Sequence, residues 1–289
     1  MKSSQTPARH RPRAAALVLA LAVAAATLAA SAPGDAQAQQ AGGGTTQAEI
    51  ERYRQMLQDG NPADLVASRG ESLWKEARGP KRASLEQCDL GLGPGKVEGA
   101  YARLPRYFAD TDSVMDFESR LVHCMVTLQG FERAAITKAP FSGEGQRATD
   151  IESLVAYVTD ASRGARVDVP QAHAQERAAY ARGKQIFYFR GGPYDFSCAS
   201  CHAVDDQRIR LQDLPNLTKK EPAQRAFATW PAYRVSQGAL RTMQWRLYDC
   251  FRQQRFPELK YTSPASVDLI TFLGVNANGG RMDAPAIKR

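Results

Sequence analysis

Histidine and cysteine are scarce in this 289-residue chain, with four of the first and five of the second. His123 and His173 stand at no spacing that would complete a zinc site. No apolar run after residue 30 approaches the length of a membrane span, which excludes a multi-spanning protein. Glycine (22) and proline (16) are too few for a collagen-like chain, and 43% hydrophobic residues are too many for a wholly disordered one. The formal net charge is +8, but no nucleic-acid motif accompanies it. What remains is a globular chain, long enough for two ordinary domains.

Residues 1–38 have the pattern of a secretory leader. Lys2, Arg9, Arg11 and Arg13 precede an Ala/Leu/Val/Thr run from Ala14 to Ala30, and Ala36-Gln37-Ala38 offers a small-x-small cleavage site. The alternative, a membrane anchor, fits less well because the run is short and mostly alanine. No twin-arginine pair precedes it, so export through the general route is expected. The leader holds four basic residues and one acidic, so without it the charge falls from +8 to +5. The mature protein is expected outside the cytoplasm, with no membrane span.

All five cysteines lie beyond this leader, and their odd number leaves at least one without a disulfide partner. Cys198-Ala199-Ser200-Cys201-His202 is a C-x-x-C-H, the attachment motif of c-type haem. Two thiols at this spacing match the two haem vinyl groups, and the adjoining histidine falls beneath the iron. One covalent haem c per chain is therefore expected, with Cys198 and Cys201 as attachment points and His202 as proximal ligand. The flanks suit a class I-type cytochrome c domain. Ala174 to Arg190 reads as a helix, Leu214-Pro215-Asn216-Leu217 as a turn shielding a haem edge, and Pro264 to Val275 as a terminal helix.

An internal repeat is also visible. Cys88 precedes Pro105 by 17 residues, and Cys198 precedes Pro215 by the same interval, each proline following a leucine. Arg120-Leu121-x-x-Cys124 matches Arg246-Leu247-x-x-Cys250, and an apolar helical segment follows each. This alignment puts 16 extra residues of the second copy between its Leu-Pro and its R-L-x-x-C element. The fold expected is mainly α, with two tandem cytochrome c-like domains at 39–172 and 173–289, the first without haem. Where the second copy has its haem motif, the first has Cys88-Asp89-Leu90-Gly91-Leu92. Cys88 and Cys124 are then free to form a disulfide in an oxidising compartment, or to remain two buried thiols.

Cys250 is left over, and three residues compete as the sixth iron ligand: Met243, Cys250 and, before the domain, His173. Met243 would give an ordinary electron-transfer cytochrome without substrate. Cys250 is favoured because an unpaired thiol in this compartment must be sheltered or used. Arg246 stands four residues earlier, on the same face of a helix, where a guanidinium lowers a thiol pKa and grips an anion. From Arg225 to Lys260 seven basic residues outnumber two acidic ones, a field suited to a small anionic substrate. Lys219, Lys220 and Arg241 are possible helpers, or simply solvated charges.

The leader, the duplicated domains, the C-A-S-C-H motif and Arg246 four residues before Cys250 together resemble the SoxA family. SoxA proteins are the catalytic subunits of the SoxAX cytochromes of bacterial thiosulfate oxidation. Because Gly91 and Leu92 replace a second cysteine and histidine, the chain looks like the single-haem branch. The resemblance implies a periplasmic heterodimer with a SoxX-type cytochrome c subunit. It implies L-cysteine S-thiosulfotransferase activity, joining thiosulfate to a carrier cysteine of a SoxYZ-type protein. It further implies that Cys250 is the active-site cysteine, carried as a persulfide, that Arg246 contacts substrate, and that His202 and Cys250 are the axial ligands.

Overall fold

The computed structural model describes Ala48, Arg52, Tyr53 and residues 60–289 except 210 and 211; the expected 1–38 leader lies outside them. Asn61 starts the first long helix. Its side chain accepts a hydrogen bond from the Ala63 N–H, Pro62 takes a position that needs no amide partner, and α1 runs Pro62–Lys75. A 3-10 turn at Tyr101–Arg103 leads to an antiparallel hairpin, β1 Arg106–Phe108 with β2 Ser113–Met115. Asp116 caps α2, Phe117–Thr127, by accepting from the Ser119 N–H, and a short α3 follows at Arg133–Thr137. Thr149 and Glu152 form a capping box at the start of α4, Asp150–Asp160. Helix α4 crosses α1 at Gly70, where a Cβ would sit 1.9 Å from the Ser153 carbonyl oxygen. Only glycine permits backbones this close.

The same plan then recurs. His173 and Glu176 cap α5, Ala174–Tyr188. Helix α6, Cys198–His202, is followed by a small hairpin, β3 Arg208–Ile209 with β4 Gln212–Asp213, and by α7, Lys220–Phe227. Strand β5, Ala232–Arg234, pairs antiparallel with β6, Ala239–Arg241. Thr242 caps α8, Met243–Gln253, and Ser263 caps α9, Pro264–Asn276. Strand β7, Ala286–Lys288, joins β5 in parallel, so the sheet order is β6-β5-β7. Helix α9 crosses α5 at Gly183, where a Cβ would again lie 1.9 Å from a carbonyl oxygen, that of Asp268. The chain is mainly α, and among the described residues no helix is long and apolar enough to cross a membrane.

A shift of 126 residues carries Arg106 to Ala232, Ser113 to Ala239 and Phe117 to Met243, so β1, β2 and α2 map onto β5, β6 and α8 with identical hairpin registers. Leu104-Pro105 therefore corresponds to Trp230-Pro231, not to Leu214-Pro215 as equal spacing from the preceding cysteine suggests. Cys88 lies 18 residues before β1, whereas Cys198 lies 34 before β5. The 16 extra residues thus fall between α6 and β5, ahead of the hairpin rather than after it.

The two halves meet through groups related by this shift. Glu118 and Gln244 correspond in the repeat and touch each other: the Gln244 N–H donates to Glu118 Oε1 at 3.2 Å. Gln244 Nε2 donates to Asp116 Oδ2 at 2.8 Å, and all three residues are buried. Nearby, Arg241 Nη1 lies 3.6 Å from Glu152 Oε1 and donates to the Ser142 carbonyl at 2.6 Å. Arg241 also stacks 4.5 Å over the Trp245 ring. It is therefore a buried tie between the halves, not a solvated charge. One apolar core runs through both halves, from Trp74 and Leu121 to Trp230 and Leu269.

Candidate functional site

Helix α6 is a single turn, short enough to need its own fastening. Ser197 and Ser200 cap each other, Ser197 Oγ accepting from the Ser200 N–H at 3.1 Å. This turn displays Cys198, Cys201 and His202, all half-buried. His202 Nδ1 lies 3.0 Å from the Pro215 carbonyl oxygen. A carbonyl only accepts, so Nδ1 carries the hydrogen and Nε2 keeps its lone pair, the form in which an imidazole can bind a metal. The Leu217 N–H closes the same loop by donating to the His202 carbonyl at 2.7 Å. Burial lowers the imidazole pKa against the Pro215 hydrogen bond, and the Arg246 charge lowers it further, so the ring is held neutral. Pro215 belongs to the 16-residue insertion. The first half lacks both the histidine and the segment that orients it.

Cys250 approaches from α8. Cys201 helps to raise its pKa, and Cys250 in turn that of Cys198, so the three thiols of two helices lie within electrostatic reach of one another. Burial raises the Cys250 pKa; Arg246 and Arg234 act in the opposite direction, with burial prevailing. The expected lowering by Arg246 is therefore present but outweighed. Arg246 reaches Asp249 at 3.4 Å and lies 6.0 Å from the Trp230 ring centroid. Asp249 also accepts from Arg252 at 2.8 Å and Gln253 at 2.7 Å.

The competing ligand residues sit elsewhere. Met243 is buried in the core at the start of α8, two turns or about 10 Å along the axis from Cys250. His173 is the N-cap of α5; its ring stacks on Tyr107 at 3.7 Å, and its Nδ1 accepts from the Gln175 N–H at 3.2 Å. Lys219 pairs with Asp205, while Lys220 is exposed on α7.

In the first half, Cys88 and Cys124 form a disulfide, with Cα atoms 5.7 Å apart. Cys124 is the residue that the 126-residue shift places on Cys250. The disulfide lines a cleft of about 480 Å³ with Arg106, Phe108, Arg120 and His123. Arg120 is closed off there, with Nη1 2.9 and 2.7 Å from the two Asp110 oxygens and its guanidinium 4.1 Å over Phe108.

Sequence reasoning counted Arg234 only as one of seven cations in a basic field, and left Trp230 and Lys288 out of the site. Arg234 stands on β5 and pairs in register with Lys288 on β7, whose ammonium lies 5.8 Å from the Trp230 ring centroid. An alignment keeping R-L-x-x-C and the preceding proline at one fixed spacing would have shown Arg234. Nothing local marks Lys288, which the parallel strand brings in from the C-terminus.

Residues 69–167 match the family described as SoxA/TsdA, cytochrome c domain. The chain is 53% identical over 241 residues to the L-cysteine S-thiosulfotransferase subunit SoxA of Hydrogenophilus thermoluteolus, covering 83% of this chain and 87% of that protein. It is 32% identical over 229 residues to a subunit of the same name from Hydrogenobacter thermophilus, covering 79% and 82%. Its fold matches the crystal structure of SoxXA from P. pantotrophus with a TM-score of 0.68 at 24% identity, covering 82% of this chain and 84% of that one. A cytochrome c domain implies haem c, and the donor set here fits it. Two thiols and a neutral, oriented imidazole share one helical turn, beside Ala199, Ala203, Leu217 and Phe251 at the edge of the core. By its fold, its extent and its identity to these subunits, the chain belongs to the SoxA family of L-cysteine S-thiosulfotransferase subunits.

Proposed function

We propose that this chain oxidatively joins thiosulfate to a cysteine of a SoxYZ-type carrier protein, with Cys250 as the sulfur-handling residue and Arg246 as the substrate contact. The observation that carries the reading is the placement of Cys250: an unpaired thiol on α8 beside Cys198 and Cys201, with a guanidinium one turn away. In balance, thiosulfate and a carrier thiol give a cysteine S-thiosulfonate, one proton and two electrons. Cys198 and Cys201 would hold one haem c per chain covalently, with His202 and Cys250 as the residues that would bind its iron; when bound it would supply one-electron redox chemistry beside the sulfur.

This chain's residues do the rest. Pro215 fixes the His202 tautomer so that Nε2 is the ligand. Arg246 neutralises the sulfonate end of thiosulfate, a charge-assisted contact worth about 1.5–3 kcal/mol. Cys250, as a persulfide, presents a soft sulfur at the same place. The partner is a SoxX-type cytochrome c subunit that takes up the electrons, and the setting is the periplasm, which the leader and the disulfide support. The two halves divide at 172/173 into a haem-less domain and a haem domain. The recurrence of helix crossing, hairpin and capped helix supports this division.

Intact-mass spectrometry of the mature protein before and after mild reduction tests the reading. One haem and a reducible extra mass of about 32 Da, one sulfur atom, mapped to the Cys250 peptide are expected. A Cys250→Ala variant is expected to retain its fold and haem but lose thiosulfate conjugation. Full conjugation by that variant would overturn the assignment.

A further inference from the structure

The repeat provides an internal control for the substrate arginine. In the first half Arg120 is neutralised by the protein itself, through Asp110 and the face of Phe108. Its Nε also donates to the Asp89 carbonyl at 2.7 Å. The 126-residue shift carries Arg120 to Arg246, Phe108 to Arg234 and Asp110 to Ser236. At the positions equivalent to the stacking ring and the carboxylate, therefore, stand a second guanidinium and a hydroxyl; Arg246 itself reaches Asp249 at 3.4 Å. The hairpin register and the placement of the helix after it are the same, although the second hairpin closes through a 3-10 turn, Val235–Gln237.

Two cations brought together in this way repel each other unless an anion lies between them. Asp249 lies near both but is shared with Arg252 and Gln253, which hold it at 2.8 and 2.7 Å. Arg234 is half-buried, and its Nε is buried without a hydrogen-bond partner, an expensive state for a charged donor. Burial and the Arg246 charge both pull Arg234 below the usual arginine range, while Asp249 and, less, Cys250 act the other way. Arg234 therefore lies in the electrostatic neighbourhood of Cys250 as well as of Arg246. Lys288, opposite Arg234 on β7, adds a third cation, on the Trp230 ring that Arg246 also borders.

We propose that Arg234 joins Arg246 in a two-guanidinium clamp for the sulfonate end of thiosulfate beside Cys250, making Arg234 a second substrate-contacting residue. This rests on the function proposed above. A sulfonate has three oxygens, enough to accept from two guanidinium forks at once. The orphan Arg234 Nε gains its acceptor, and the repulsion between the two cations becomes attraction to one anion.

The test uses the haem-loaded complex with its cytochrome partner and measures two quantities: steady-state thiosulfate conjugation, and equilibrium binding of radiolabelled thiosulfate. Arg234→Gln is expected to weaken thiosulfate binding and raise KM by about 10- to 100-fold, with kcat changed far less. Arg234→Lys is expected to restore part of the loss. Ser236→Asp, at an exposed position, returns to Arg246 the carboxylate that Arg120 has, and is expected to raise KM similarly even if the Arg234 variants fold poorly. Haem absorbance and melting temperature confirm that each variant is intact. Unchanged binding and KM in Arg234→Gln and Ser236→Asp, beside an active wild type, would overturn the clamp. A wild type that binds thiosulfate but does not conjugate it would instead defeat the proposed function, and the binding assay would still decide on the clamp.

Discussion

Glu118 is the most informative single perturbation of the fold. It is 2% exposed at the junction of the two halves, with Oε1 accepting from the Gln244 N–H and Oε2 buried without a hydrogen-bond partner. Burial, reinforced by the charge of Asp116, pushes its carboxyl pKa from 4.5 up to about 8, while Thr242, Gln244 and Tyr261 pull the other way. A pKa raised in the folded state means that the folded protein holds the proton more tightly than the unfolded chain does. The associated stability is complete below pH 4.5, declines as pH rises from there to about 8, and is constant above it. Over that interval the loss totals about 5 kcal/mol, at about 1.4 kcal/mol per pH unit. For a domain of this size that corresponds to about 3–5 °C of melting temperature per pH unit.

Glu118→Gln removes the titration while keeping the shape and the Oε1 acceptor, and glutamine is the residue that the repeat itself places at 244. Asp150, which Arg78 and Arg69 hold down against the effect of burial, contributes in both proteins and cancels in the difference; Asp116, also raised by burial, is coupled to Glu118 and its response is part of what the difference reads. The assay is thermal unfolding of the haem-loaded protein from pH 5 to 8.5, wild type against variant. The variant's advantage is expected to grow steadily to pH 8 and then level off. Parallel curves, with a constant difference across the whole range, would refute the placement of a protonated Glu118 at the junction.

Two further outcomes follow from the packing. Gly183→Ala would put a methyl group 1.9 Å from the Asp268 oxygen and 2.9 Å from Phe272 Cβ, forcing α5 and α9 apart. The expected cost is at least about 3 kcal/mol, or a fall in melting temperature of about 6–12 °C by circular dichroism; a fall below 2 °C would contradict the crossing. Replacing Cys88 and Cys124 together by alanine opens a loop with a sequence separation of 36 and is expected to cost about 4 kcal/mol in urea denaturation. Haem content and the Cys250 mass signature should remain, because the disulfide belongs to the other half.

The duplicated plan shows how one scaffold accommodates two outcomes. At the second cysteine of each half, one chain position becomes either half of a disulfide, Cys124, or an unpaired thiol, Cys250. Around the arginine four residues earlier, Asp110 pairs with Arg120 in the first half, while in the second half Ser236 stands at the equivalent position and Arg246 reaches Asp249 instead.

Much of this was legible in one dimension, because the chemistry depends on spacings local to a helix. C-x-x-C-H marks a haem turn, since two thiols and an imidazole must meet one flat ring within five residues. Arg246 and Cys250 share a face because four residues nearly complete a helical turn. The helices at Ala174–Tyr188 and Pro264–Asn276 follow from their apolar period and caps, within a residue or two of expectation. Tertiary structure alone decided the pairings between distant segments. Leu214-Pro215 imitated a repeat element by spacing, and only the strand register transferred that role to Trp230-Pro231. Arg241 looked like a solvated charge until folding buried it against Glu152, 89 residues away along the chain. Lys288 reaches the site through a parallel strand, a contact that no local pattern encodes, because strand partners are chosen by long-range packing and hydrogen bonding. The burial that raises the Cys250 pKa despite a nearby guanidinium is likewise a property of the packed core, not of the residues beside it in sequence.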